Sequence, residues 1–453
     1  MNSTGKNKNE IDMLNGGFFK TLVIMAIPLA LTSMLQQLFN AADTAVVGQF
    51  ASSDAMAAVG SNAPVINVII TLLSGISVGA NVMIAGFIGQ GRHDEVNDAV
   101  HTSFSVAIIS GLIMTFVGIF LARPVLIALS TPDNILDLAV LYLRIYFLGI
   151  TFIMIYNIGS AILRSVGDTQ TPLYCLCISG VVNVILNLFF VIVCHKSADG
   201  VAMATTISNG ISALLVTITL MRKEGMLHLN LSKLSLKWPY IQRIFYIGGP
   251  AGIQGAIFSF SNVIIQTAIN SFGSDCIAGN SAALNFEYMA YFVVNGFAQA
   301  YMTFISQNYS AGKHMRCRKS LKVAMACSMG FTALVSACFY IFRYPLIGLF
   351  TSDSEVIYYA MIRMTFITSF EALTSTYEIT GASLRGMGKS MLPAIVTLIG
   401  CCGVRLVYIF AMTGHFTNFA QVLYIYTFTW IVTGLTMIGI YLKASKKLLF
   451  KTE

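Results

Sequence analysis

Charge is what this chain has least of. Asp, Glu, Lys and Arg together make up 10% of the 453 residues, against 56% hydrophobic residues and a mean hydropathy of +0.76. A soluble domain carries ~25% charged residues, and no soluble core of this length hides so much apolar surface. The solvent for this chain is therefore lipid. Histidine is equally sparse: the 6 present fall in loops or at the ends of apolar runs. The 9 cysteines are odd in number and scattered, which argues against a disulfide framework or a zinc spacing. Most lie in apolar runs, where Cys behaves as a small hydrophobe. Neither HExxH nor a nucleophile–base set is present, which argues against the common hydrolases. His93, Asp94 and Glu95 hint at a metal, yet the equivalent stretch KHMRCRK in the second half has no acids. The opening MNSTGKNKNEIDMLNGG is not expected to be a signal peptide, because the apolar run after it is too long and more follow.

Long apolar runs are what the chain does have. A membrane span needs ~20 mostly apolar residues. That window predicts twelve helices, near 18–47, 56–88, 100–122, 137–160, 171–194, 200–221, 246–271, 277–308, 320–342, 355–381, 391–413 and 418–442. An even number puts both termini on one side, and positive charge chooses the side. Most of the 27 Lys and Arg, including Lys6, Lys8 and Lys451, fall in the segments on the side of the termini. The opposite loops hold Arg123, Lys196 and Arg343, and the spans hold Arg144, Arg363 and Arg405. Both termini are thus expected in the cytoplasm, in a multi-pass protein of the inner (plasma) membrane. The +8 net charge marks topology, and nucleic acid is not needed as a partner.

The chain is one half written twice. AILRSVGDTQTP at 161–172 returns as ASLRGMGKSMLP at 382–393, an offset of 221 residues. GRH at 91–93 returns as GKH at 312–314, and at one residue more Pro28, Asn40 and Phe50 match Pro250, Asn262 and Phe272. Six spans per half make the halves parallel. The expected fold is an all-α membrane protein of two six-helix bundles, 1–222 and 246–453, joined by a basic, semi-amphipathic cytoplasmic linker, 223–245. Substrate would sit between the bundles near mid-membrane, reached by alternating access.

Such a repeat serves as an internal control: a polar residue needed by the architecture should recur in its twin. Asp43 does not, because its twin is Ile265. An ionised carboxylate inside a span costs at least ~2.5 kcal/mol on insertion scales, so this one is read as functional. Asn183 and Asn187 share a helix face, and their twins are Val404 and Tyr408. Counted at ~1.5 Å per residue, these two, Asp43 and Thr205 all reach the outer half of the first bundle. The second half has other polar groups: Glu287, Glu371, Glu378 and Arg405, with twins Ile66, Ile150, Asn157 and Val184. Arg405 is expected to pair with Glu287, Glu378 with Arg385, and Glu371 to face the substrate path. Arg144 and Arg363 are expected to snorkel or cap helix ends. Tyr288, Met289, Phe292 and Met302 supply an adaptable aromatic and methionine surface suited to promiscuous binding. Pro28 removes a hydrogen bond inside the first span, so a bend upstream of Asp43 is expected.

The stretches PLALTSMLQQLFNAADTAVVGQF, LRSVGDTQTP and LRGMGKSMLP, in this order and spacing, resemble the multidrug and toxic compound extrusion (MATE) family over essentially the whole chain. The resemblance implies a transporter, not an enzyme, that exports amphiphilic and often cationic organic compounds in exchange for H⁺ or Na⁺. It implies that Asp43 is the coupling-ion site, surrounded by Asn183, Asn187 and Thr205. Some relatives carry a second Asp where this chain has Asn187, and some carry an acid in span seven, where Ile247–Ser271 has none. No cofactor beyond the coupling ion is expected, and the partners are a small organic substrate and membrane lipid around a monomer. The alternative is a flippase for lipid-linked precursors of the same superfamily. It would want a strongly cationic cavity, whereas the three in-span arginines here are balanced by acids. The loop GQGRHDEVND does not match the signature of the major facilitator architecture.

Overall fold

The computed structural model describes residues 10–449 apart from 130 and 413, so Lys6, Lys8 and Lys451 lie outside the described residues. All regular structure among the described residues is helical. The first repeat comprises α1 (Phe18–Phe50), α2 (Ser53–Gly89), α3 (His93–Ala128), α4 (Asp133–Leu148), α5 (Ile150–Ser165), α6 (Gln170–Leu188) and α7 (Ala198–Arg222). The second comprises α8 (Trp238–Asn270), α9 (Ser274–Ser310), α10 (His314–Ile341), the short α11 (Arg343–Gly348), α12 (Ser354–Phe366), α13 (Ser375–Gly386), α14 (Met391–Thr397), α15 (Val404–Met412) and α16 (Phe419–Leu449). The α1 helix continues unbroken through Pro28.

Among the described residues 10 helices are long and apolar enough to cross a membrane, or 11 when α4 and α5, bent by 42°, count as one span. This is a multi-pass, all-α membrane protein. The α9 helix has the length, at 37 residues, but not the apolarity. It carries Asn280, Glu287, Gln307 and Asn308, all of them buried. A helix that turns its polar groups to other helices need not be apolar all round.

Two compact units form. One contains Leu31–Gly249 and the stretch ending at Ile11; the other contains Asp12–Ala30 and the chain from Pro250 on. The units therefore divide the chain differently from the sequence repeats. The first helix of each repeat changes unit part-way along, two residues after Pro28 in α1 and immediately before Pro250 in α8.

Small residues make that exchange possible. In the first unit, a Cβ on Gly79 would overlap the Ile244 carbonyl, and one on Gly248 would overlap the Gly75 carbonyl. Here α2 and the opening of α8 touch backbone to backbone, as small-residue faces allow in membranes. In the second unit a Cβ on Gly296 would lie 2.7 Å from the Ala26 carbonyl oxygen, so α9 seats the opening of α1 in the same way. Residue 296 is the repeat twin of residue 75.

The linker is docked on the first unit rather than loose. Leu227 and Leu229 are buried. Lys223 pairs with Asp168 at 3.3 Å and Glu10 at 3.1 Å. Asn97 Nδ2 donates to the His228 carbonyl at 3.0 Å, and Lys237 pairs with Asp98 at 2.5 Å.

One comparison within α2 tests the glycine crossing. Gly79→Ala should lower stability by ~1–3 kcal/mol through overpacking. Gly60→Ala, whose Cβ meets nothing within 4 Å, should be neutral or slightly stabilising, because Ala is the better helix former. Thermal unfolding of the two variants in detergent checks this, and equal melting temperatures would refute it.

Candidate functional site: a buried carboxylate among amides

Local packing in α1 turns Asp43 inward. Asp43, Val46 and Val47 lie on one buried stripe, whereas Ala41, Thr44 and Ala45 are exposed. One turn earlier Phe39 seats its ring where a Cβ on Gly180 of α6 would stand. Gly180 thus lets α1 approach α6 closely. Asp43, four residues after Phe39, then reaches Asn187, seven residues after Gly180. Asn187 lies in the last turn of α6, one residue before its end at Leu188 and just ahead of a π-helical turn at Phe189–Val193. Such turns are rare and recur at functional sites.

The four residues singled out in the sequence meet. Asn187 Nδ2 donates to Asp43 Oδ1 at 2.5 Å, and Thr205 Oγ1 donates to Asp43 Oδ2 at 2.9 Å. Asn187 Nδ2 also reaches Asn183 Oδ1 at 3.2 Å. Asn183 Nδ2 donates to Thr205 Oγ1 and to Ser208 Oγ, each at 3.4 Å. Asp43 is 6% exposed and Asn187 0%. No basic side chain pairs with Asp43 among the described residues. The Asn187 Oδ1 atom is buried and accepts no hydrogen bond. One turn beyond Asp43, Asn187 and Thr205, the side chains of Val46, Val47, Val191, Val201 and Ala202 form an apolar cluster with Tyr142. That layer closes one side of the site to water.

The second unit holds a different network. Arg363 Nη2 lies 2.8 Å from Glu287 Oε2, Arg363 Nε donates to the same oxygen at 2.9 Å, and Nη1 donates to Asn280 Oδ1 at 2.5 Å. The expected Arg405–Glu287 pair is thus replaced by Arg363–Glu287, and Arg363 is buried rather than snorkelling. The reason is packing. Gly279 of α9 lies where a Cβ would overlap the Val356 carbonyl of α12, so these two helices touch and bring Glu287 to Arg363. Arg405 instead stacks 4.1 Å from the Tyr426 ring centroid and donates to Thr429 Oγ1 at 3.0 Å. Arg144 does stay exposed, with its Nε donating to the Ile119 carbonyl. Glu378 pairs with Arg385 at 3.7 Å and accepts from the Tyr291 hydroxyl at 3.2 Å. Glu371 sits in a 3₁₀ stretch, Thr368–Thr374, 2% exposed, and its Oε2 makes no hydrogen bond. Tyr288 stacks with Phe292 at 6.4 Å; these two and Met289 are half-buried, whereas Met302 is buried.

A family model described as MatE matches residues 28–189 and again 250–411. The chain belongs to the multidrug and toxic compound extrusion (MATE) family. As a MATE protein it is a secondary active antiporter of small organic, drug-like compounds, and not an enzyme. It is 27% identical over 401 residues to the probable multidrug resistance protein NorM of Thermotoga maritima, covering 88% of this chain and 86% of that protein. It is 23% identical over 342 residues to the multidrug export protein MepA of Staphylococcus aureus, covering 75% of each. In fold it matches a solved structure described as the outward-facing conformation of a multidrug resistance MATE family transporter. There the TM-score is 0.90 at 20% identity, covering 98% of this chain and 99% of that one.

Sequence reasoning missed Ser208, Asn280 and the burial of Arg363 in this MATE chain. Ser208 had a signal, since it lies three residues from Thr205 on one helix face. The pairing of Arg363 had none, because it depends on which helices touch.

Two stability tests follow. Thr205→Val leaves Asp43 Oδ2 without a donor and should cost ~1–3 kcal/mol. The cost should shrink in an Asp43→Asn background, giving a coupling of at least ~0.5 kcal/mol in a double-mutant cycle of thermal unfolding. Arg363→Met alone should cost ~3–5 kcal/mol by stranding Glu287, and Glu287→Leu in the same chain should restore most of it. Additive losses in either cycle would contradict the assigned contacts.

Proposed function

We propose that Asp43 is the site at which a coupling cation, H⁺ or Na⁺, enters the exchange for an amphiphilic organic cation. The observation that carries this reading is the buried carboxylate served only by neutral donors. Withdrawing an ion from water costs several kcal/mol even after relaxation. Two hydrogen bonds to a charged acceptor return ~1.5–3 kcal/mol each. The two sums are comparable, so the ionised site is tolerated yet gains from a cation.

Either ion reverses one amide. Asn187 now gives its N–H to Asp43. A proton on Asp43 turns the carboxyl into a donor, and Na⁺ seeks oxygens, as hard cations do. In both cases the Oδ1 of Asn187, now without a partner, becomes the useful end. Asn183 and Thr205 supply the further oxygens. Loss of the Asp43 charge also weakens a cationic cargo nearby. At ~8 Å and an effective dielectric of ~20 the attraction is about 2 kcal/mol, roughly thirtyfold in affinity. Repacking of α1 about Pro28 then changes access to the site. Glu287, Tyr288, Met289, Phe292, Met302 and Glu371 are proposed along the substrate path, with Glu287 held by Arg363 in the present state.

The same reading includes twelve spans in two parallel repeats, 1–222 and 246–453, with both termini and the 223–245 linker cytoplasmic. It also includes a monomer in the inner membrane. The count of twelve rests on α9 spanning with its polar residues turned inward, and the orientation rests on the basic loops.

The test is uptake of a fluorescent organic cation into inverted membrane vesicles under an imposed pH gradient or an imposed Na⁺ gradient. One gradient should drive uptake, and Asp43→Asn should reduce it to background. Uptake by Asp43→Asn equal to that of the native chain would remove Asp43 from the coupling step.

A further inference from the structure

The second unit carries an open apolar surface groove of about 510 Å³ against α10 that plays no part in the site above. Its floor is a single helical row, Lys322, Ala326, Gly330 and Leu334, spaced i, i+4 and all exposed. Phe19 of α1 and Phe331 wall it. The groove exists because two floor positions are small, and a Cβ on Gly330 would meet nothing within 4 Å. From Lys322 to Leu334 the row runs ~18 Å at 1.5 Å per residue. That is close to half of a ~30 Å hydrocarbon core, the depth of one leaflet. The dimensions suit an extended acyl chain.

Charge at one end then selects the head. Lys322 closes the groove, and Lys319, one turn before it on the same face, is also exposed. Neither is in a salt bridge among the described residues. Their neighbours are already used: Lys313 donates to the Leu14 carbonyl at 3.0 Å, and Arg316 donates to the carbonyls of Met13 and Gly16. No Asp or Glu occurs anywhere in residues 288–352. The two lysines leave the mouth cationic: among the described residues neither is in an ion pair, and Asp12, from the stretch before α1, acts on Arg316 instead.

We propose that this groove is a binding site for an anionic glycerophospholipid, with one acyl chain along Ala326–Leu334 and the phosphate on Lys322 and Lys319. An organic cation would meet two lysines at the mouth, so cargo is the wrong charge for it. A basic residue near an anionic headgroup favours it by about fivefold.

Native mass spectrometry of the purified full chain, titrated with phosphatidylglycerol or phosphatidylcholine of the same acyl chains, reads this directly. The native chain should retain phosphatidylglycerol at least about fivefold better than phosphatidylcholine. Lys322→Glu should abolish that preference. Gly330→Leu, whose side chain fills the groove, should lose the bound lipid of either kind, and Ala326→Leu serves the same purpose if Gly330→Leu does not fold. Equal retention of the two lipids by the native chain would overturn the proposal, as would unchanged retention in the Lys322→Glu and groove-filling variants. Displacement of phosphatidylglycerol by an organic cation would assign the groove to cargo and overturn it equally.

Discussion

A carboxylate without a cation, buried where water cannot reach it freely, is the constraint around which the first unit is arranged. Asp43 is 6% exposed and is met by one amide and one hydroxyl, both neutral. A salt bridge would have satisfied the charge permanently, as Arg363 satisfies Glu287 in the second unit. Neutral donors leave the charge unpaired, which is why the proposed function gives it to a cation from outside. The contrast between the units is therefore chemical rather than architectural. Where the first repeat places Thr205 beside an acid, the second places the twin residue, Tyr426, beside a guanidinium.

Placing that carboxylate depends on close backbone approaches. Gly180 admits Phe39, and the next turn of each helix brings Asp43 to Asn187. Gly75, Gly79 and Gly248 admit the opening of α8 to the first unit, and Gly296 admits the opening of α1 to the second. Asp43 consequently rides on a helix whose opening is packed in one unit and whose later turns are packed in the other. The proline lies two residues before the change of unit. A helix held in this way and short of one internal hydrogen bond has a defined place to bend.

Much of this was legible in the residues. Apolar runs located the long membrane helices, of which 10 or 11 are apolar enough to span, and the internal repeat separated Asp43, Asn183 and Asn187 from the shared scaffold because their twins are Ile265, Val404 and Tyr408. Depth counting then brought Thr205 to them. The partner of Glu287 was not legible. Depth pointed to Arg405, whereas Arg363 takes the place because a glycine at 279 lets α12 reach α9. The exchange of helix openings between units was equally hidden, since a repeat reports which segments are alike and not which ones touch. The apolar signal of α9 is lowered by polar residues that the fold buries, Asn280, Glu287, Gln307 and Asn308 among them.

The account is tested most directly by counting ions released when cargo binds. Isothermal titration of an organic cation into the purified transporter, repeated in buffers of different ionisation enthalpy and with and without Na⁺, gives the protons or sodium ions displaced per site. One cation should leave per substrate bound to the native chain, and none in Asp43→Asn. The same release from Asp43→Asn would place the exchange at another group and contradict the central claim.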